Sequence, residues 1–206
     1  MLEVKNASIN IGGKQLFREL SFSVADGEIL CLVGDSGTGK TTLLRALLGF
    51  QPLEEGHISI DGELLTPASA EEFRKYMSYV PQQLALPSEW VSEMVKLPFQ
   101  LKINKGKAFS KPLLMEEWRK LDLAPELYDR KVVELSGGQR QRMVLAVSGL
   151  LGKSILLVDE PTSALDHHSS AMVMDYFRLL ASRGCTIVAV SHDEAFAEGC
   201  DKKVTL

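Results

Sequence analysis

The run GDSGTGKTT, residues 34–42, sits directly behind an apolar stretch and ahead of a helical pattern. Across Gly34, Asp35, Ser36, Gly37, Thr38 and Gly39, glycine occupies three of six positions. Such a segment lets consecutive backbone N–H groups curl around phosphate oxygens, and the positive end of the next helix points at the same place. Lys40 would then reach the β- and γ-phosphates, Thr41 would place a hydroxyl on Mg²⁺, and Thr42 would continue the cradle. A second run, ILLVDEPT at 155–162, is an apolar strand ending in two carboxylates. Asp159 at the strand tip would hold Mg²⁺ through water, and Glu160 would polarise or deprotonate an attacking water. Alone, the first run is a glycine-rich turn and the second a solvated strand end stopped by Pro161. Together they argue for phosphoryl chemistry.

Three further positions fit the same chemistry. Gln82 follows SYVP and would end a strand near the Mg²⁺ and the attacking water. His192 follows TIVAVS, where an imidazole would hydrogen-bond a γ-phosphate; His57, His167 and His168 have no such placement. ELSGGQRQR at 134–142 is an unusual helix entrance, because adjacent glycines are poor helix formers. Ser136 would cap the helix and offer a hydroxyl to an anion, while Gly137 and Gly138 would admit a phosphate to the backbone ahead of Gln139. A second anion site on one chain predicts service to a nucleotide held by another subunit. SALD at 163–166 would put Asp166 at a subunit contact, or simply start a helix.

The elements that must position these residues are legible as patterns. LEVKNASI and LSFSV alternate like half-buried strands, whereas EILCLV is continuously apolar, as in a strand covered on both faces. Leu43, Leu44 and Leu47 fall on one helical side, as do Met143, Ala146, Val147 and Leu150, and again Val173, Tyr176, Phe177 and Leu180. GHISIDGE suggests a short hairpin, MSYVP a strand, and SILLV, CTIVAV and KVTL further strands. Residues 82–134 are punctuated by Pro87, Pro98, Pro112 and Pro125, contain both tryptophans, and hold helical patterns without strong strands. They read as a helical lobe inserted into an α/β core.

With 206 residues, 45% hydrophobic and 24% charged, the chain has ordinary globular composition. A net charge of −4 gives no electrostatic case for nucleic acid, which is not expected as a partner. Cys31, Cys185 and Cys200 are odd in number and widely spaced, which predicts buried free thiols in a reducing compartment. The start shows no secretory signal, and no apolar run approaches the roughly 18 residues that span a bilayer. A soluble chain is expected, whose work at a membrane would need spanning helices from another subunit.

In order, GDSGTGKTT, VPQ, LSGGQRQR, ILLVDEPT, SALD and VSHD resemble the nucleotide-binding subunit of ABC ATPases, over essentially the whole chain. The resemblance implies a P-loop NTPase core with a mainly parallel sheet, a small antiparallel β subdomain and an inserted helical subdomain. Residues 1–206 would form one ABC ATPase domain. Its core would be 1–81 and 135–206 and its lobe 82–134, with the signature helix from 136 belonging spatially to the lobe. Two subunits, expected to be identical, would pair head to tail around ATP and Mg²⁺. Ser136, Gly137, Gly138 and Gln139 would act in trans, with Glu160 as base and Gln82 and His192 as switch residues. The lobe would dock on a membrane permease at the cytoplasmic face.

Two departures stand out. Where the family carries an aromatic residue for adenine, NIGGKQ offers only Ile11, so an aliphatic contact is expected there. Ser148 replaces an arginine common in the signature helix, expected to be a local packing change. The end at KVTL suggests no C-terminal regulatory domain, and VKLPFQ at 95–100 resembles the ATP-binding half of bacterial iron or metal exporters. The different class weighed beside an ATP-driven transporter subunit is a soluble ABC-type regulator or assembly scaffold. A non-hydrolysing nucleotide module is disfavoured by Glu160.

Overall fold

The continuously apolar runs become strands buried on both sides. The computed structural model describes residues 1–206. In it, β3 (Ile29–Val33) turns Ile29 and Cys31 into one apolar cluster and Leu30 and Leu32 into another, all four at most 2% exposed. It lies in a five-stranded parallel sheet with β6 (Met77–Val80), β7 (Ile155–Asp159), β8 (Thr186–Val190) and β9 (Lys202–Thr205), ordered β6-β7-β8-β3-β9. Because the strands are parallel, every strand end with a chemical residue lies along one edge.

The alternating runs form a separate antiparallel sheet, β2-β1-β4-β5, from β1 (Leu2–Ile11), β2 (Lys14–Val24), β4 (Glu55–Ile60) and β5 (Glu63–Leu64). GHISIDGE is the β4–β5 hairpin, but β4 is longer than a bare hairpin requires because it also pairs with β1. Between the sheets runs α1 (Lys40–Leu47), with Leu43, Leu44 and Leu47 fully buried against Val4, Ile9, Leu30 and Leu32. Each such side chain stabilises by about 1.5–3 kcal/mol relative to exposure. That packing fixes the start of α1, where the glycine-rich loop 34–39 ends.

Ahead of β6 comes the short α2 (Ala70–Arg74), and residues 82–134 hold α3 (Val91–Met94), α4 (Leu97–Gln100), α5 (Lys111–Lys120) and short 3-10 turns, with one isolated bridge between Trp90 and Lys131. Ser110 caps α5, and Pro112 occupies its first turn, where no amide hydrogen is missed. Trp118, Leu114 and Leu121 pack with α6 (Gly137–Leu151) and α7 (His167–Ser182) in a cluster that continues to the sheet. The helix α6 is covered on more than one stripe: Met143, Ala146 and Val147 are buried, but so are Leu145 and Leu151, while Leu150 is only half-buried. The single-face reading of α6 is corrected accordingly; the helix is wedged between lobe and sheet. Of the cysteines, all free, Cys31 is buried and Cys185 and Cys200 are half-buried. The chain has no helix long and apolar enough to cross a membrane.

One buried polar tie joins three helices. Tyr176 of α7 donates its hydroxyl to Glu117 of α5 at 2.6 Å, and Glu117 also accepts from Lys120 at 2.5 Å. Burial, reinforced by the Glu117 charge, holds the Tyr176 phenol strongly protonated. The hydroxyl lies over Gly149 of α6, where a Cβ would come within 1.8 Å of it. We predict that Gly149→Ala costs about 2–3 kcal/mol in urea unfolding by displacing this pair. In the Tyr176→Phe background the same change should cost at least about 1 kcal/mol less. Additive losses would show that the clash is absorbed elsewhere.

Candidate functional site

The β3 strand ends at Val33, and the chain then wraps into the loop 34–39 before entering α1. Gly34 has φ 145°, and a Cβ there would sit 2.5 Å from the carbonyl oxygen of Leu206, so the first turn is closed to other residues. Lys40 is 6% exposed, and its ammonium donates to the carbonyls of Gly34 at 2.8 Å and Asp35 at 2.7 Å. Thr38 donates its hydroxyl to the Asp35 carbonyl at 3.0 Å. The loop thus holds its own cation at its mouth, ready to exchange carbonyl partners for an anion.

Opposite stands the end of β7. Asp159 is 3% exposed, and its carboxylate accepts from the Thr41 hydroxyl at 2.8 Å. Glu160 follows at φ 53°, a left-handed conformation that costs a non-glycine residue about 1 kcal/mol or more. Its amide donates to the Val190 carbonyl at 2.9 Å, which locks the strained residue to the end of β8. Its carboxylate lies 3.1 Å from His192 Nε2 and accepts from the His192 amide at 3.4 Å. Burial raises the Glu160 carboxyl above the ordinary range, partly offset by His192.

These residues share a cavity of about 470 Å³. It brings together Ile11, Ser36, Gly37, Gly39, Lys40, Thr41, Thr42, Gln82, Asp159, Glu160 and His192. Gly34 and Asp35 line a neighbouring depression instead, and Gln82 is exposed just beyond β6. Sequence reasoning missed Lys14, Leu16 and Val190 on the same wall. Lys14 lies in the NIGGKQ stretch singled out for Ile11, so its proximity was there to be read. Leu16 and Val190 face the cavity for tertiary reasons. A buried carboxylate, a hydroxyl and an amide on the walls of one cavity are the hard oxygen donors that Mg²⁺ accepts, so Asp159, Thr41 and Gln82 fit that ion in kind.

The signature residues are elsewhere. Ser136 accepts from the Gln139 amide at 3.2 Å, and the Gln139 side chain accepts from the Ser136 amide at 2.9 Å. This reciprocal capping box leaves Ser136 and Gly137 exposed. Gly138 abuts the SALD loop of its own chain; a Cβ there would meet Leu165 at 3.0 Å and the Ala164 carbonyl at 3.1 Å. The glycine pair therefore has an intramolecular reason as well. Asp166 is the N-cap of α7, accepting from the Ser169 amide at 2.7 Å, a bond that lowers its carboxyl pKa. None of these residues lines the cavity around Lys40.

A family profile described as ABC transporter matches residues 17–163. The spermidine/putrescine import ATP-binding protein PotA of Aggregatibacter actinomycetemcomitans is 33% identical over 209 residues, covering 100% of this chain and 55% of that protein. The methionine import ATP-binding protein MetN of Clostridium acetobutylicum is 32% identical over 212 residues, covering 100% of this chain and 65% of that protein. The chain thus spans little more than half to two thirds of these relatives. Among solved structures, the dimeric post-hydrolysis state of the ATP-binding cassette MJ0796, bound to ADP and Pi, superposes with TM-score 0.85 at 27% identity, covering 100% of this chain and 94% of that one.

The raised Glu160 carboxyl yields a stability prediction. The folded chain holds that proton more tightly than the unfolded chain, so stability falls as pH rises from the ordinary carboxylate range through the raised value. Glu160→Gln cannot ionise and escapes that loss. Without nucleotide, the variant should melt higher than the parent near neutral pH, with the gap closing as pH falls to about 4. Melting curves displaced equally at every pH would contradict this.

Proposed function

The chain belongs to the ABC transporter family, and on that premise we propose that it is a Mg²⁺-dependent ATPase subunit whose head-to-tail dimer drives a separate membrane permease. The observation that carries this reading is the buried Asp159 bonded to Thr41 at 2.8 Å, with Glu160 beside it and Lys40 across the cavity. A triphosphate would replace the carbonyl partners of Lys40, lying along residues 34–42. Thr41, Asp159 and Gln82 would hold Mg²⁺, which supplies charge neutralisation of the phosphates when bound. Glu160 would take a proton from water as the water oxygen bonds to the γ-phosphorus. The bond from that phosphorus to the bridging oxygen breaks, and ADP leaves. His192 would hold Glu160 in place through the 3.1 Å contact before turning to the γ-phosphate.

The separation of Ser136, Gly137, Gly138 and Gln139 from the cavity supports their action on the partner's nucleotide. Asp166, at the adjoining α7 cap, would contact that partner. The pairing of two such cassettes in the post-hydrolysis neighbour, as its description states, favours the same arrangement here. Exposed Trp90, Leu101, Leu113 and Val133 give the lobe an apolar surface suited to a permease, which would hold the subunit at the cytoplasmic face of a membrane. The iron- or metal-exporter reading draws no support from the two curated relatives above, whose names concern polyamine and methionine import.

Glu160→Gln should bind ATP, hydrolyse it at least about 100-fold more slowly, and elute as a dimer with ATP and Mg²⁺. A variant that stays monomeric at saturating ATP, or retains parental turnover, would overturn the assignment. For the base, Ile11 is half exposed and offers no stacking face. Turnover of ATP and GTP should therefore agree within about tenfold, and Ile11→Tyr should lower KM for both several-fold through about 1 kcal/mol of stacking. A large preference for ATP in the parent would show that another group reads the base.

A further inference from the structure

At the opposite ends of the same parallel strands lies a second cavity, of about 450 Å³. Its walls come from the segments entering β6, β7 and β8 and from the C-terminal ends of α6 and α7. It is some 20 Å from Ser136, the length of α6 at about 1.5 Å per residue. Four cations line it, Lys75, Lys107, Lys153 and Arg183, and no carboxylate does. In a chain of net charge −4 this is a local excess of the opposite sign.

The ion pairs near the cavity leave two of the cations without a carboxylate. Lys75 pairs with Glu72. Arg183 approaches Glu117 at 3.8 Å, but Glu117 already serves Tyr176 and Lys120. Lys107 donates only to the carbonyls of Leu151 and Gly152 at the end of α6, and Lys153 only to the carbonyl of Lys75. Lys153 is 9% exposed. A helix C-terminus presents roughly half a negative charge, which leaves most of two ammonium charges uncompensated. Burial, with the Lys107 charge adding to it, pushes the Lys153 ammonium below its ordinary pKa.

The space itself follows from small residues. Ser148, Gly149, Gly152 and Ser154 line the wall. That room is ringed by lysines and Arg183, with the hydroxyls of Ser78, Ser148 and Ser154 among them. We propose that this cavity is an anion site that binds a phosphate group carried by a small soluble molecule. Two ammonium groups, a guanidinium and serine hydroxyls supply the charge-assisted donors a phosphate requires. The site is separate from the nucleotide cavity, and the proposal stands whether or not the chain hydrolyses ATP.

Pyrophosphate is a suitable probe, tested in a Lys40→Ala background that weakens phosphate binding at the nucleotide loop. At concentrations about tenfold over its Kd it should raise the melting temperature by about 3–5 °C relative to sodium chloride of equal ionic strength. Lys153→Met should abolish that shift, and Lys107→Gln, a substitution at an exposed position, should reduce it if the first variant folds poorly. Ser148→Asp, which tethers a counter-charge in the cavity, should melt higher than its parent and no longer respond to pyrophosphate. No shift in the Lys40→Ala protein, or equal shifts with and without Lys153 and Lys107, would overturn the proposal. Sedimentation with phosphatidylglycerol vesicles that depends on Lys153 would assign the site to a lipid head group and overturn the soluble ligand.

Discussion

Two successive carboxylates buried at one strand end are the constraint around which the molecule is arranged. Asp159 and Glu160 are almost inaccessible, yet the only groups bonded to their side chains are one hydroxyl and one histidine. A buried charge so lightly compensated is expensive unless a cation or a proton comes to it. The parallel sheet delivers that arrangement. β7 runs buried between β6 and β8, and its register carries Asp159 opposite Val190 and sets His192 beside Glu160. The strain at Glu160 is held by an amide bond to the same neighbouring strand. The loop 34–39 faces it because the leucines of α1 are buried between the two sheets.

The same sheet explains why the chain has two unlike ends. Along the C-terminal edge of the strands sit acids and one loop-bound lysine. At the N-terminal ends of β6, β7 and β8 a cavity is lined by cations and by no acid. The helix α6 connects the two regions, presenting its capped N-terminus near SALD and its C-terminal carbonyls to Lys107. Its burial on several sides, and the contact of Gly149 with the Tyr176–Glu117 pair, make it a rigid spacer between lobe and sheet.

What was legible in the sequence was local. The loop 34–42, the acids at 159 and 160, and the cap at Ser136 depend on short runs of chain, although the left-handed backbone at Glu160 does not follow from its residue type. Strand burial was legible for the same reason, since unbroken apolar runs have few other uses. Residues that meet through tertiary packing were not. Leu16 and Val190 reach the cavity from separate sheets, and Gly149 is bare because a tyrosine 27 positions later lies over it. The half-exposure of Leu150 escaped the helical pattern because α6 has neighbours on more than one side. The basic cavity combines residues from 75 to 185, and its sign is invisible in a chain that is acidic overall.

The central claim is that a complete reaction chamber needs two copies, and mixing two disabled chains tests it most directly. Lys40→Ala removes the phosphate-loop cation but leaves the signature helix intact. Ser136→Asp keeps a good N-cap on α6 while setting a negative charge against any phosphate that approaches it. Each variant alone should be inactive, and an equimolar mixture should regain about a quarter of parental ATP turnover, the share of competent sites in randomly paired dimers. A Ser136→Asp chain that hydrolyses ATP at the parental rate by itself, or a mixture that stays inactive while mixed dimers form, would contradict the account.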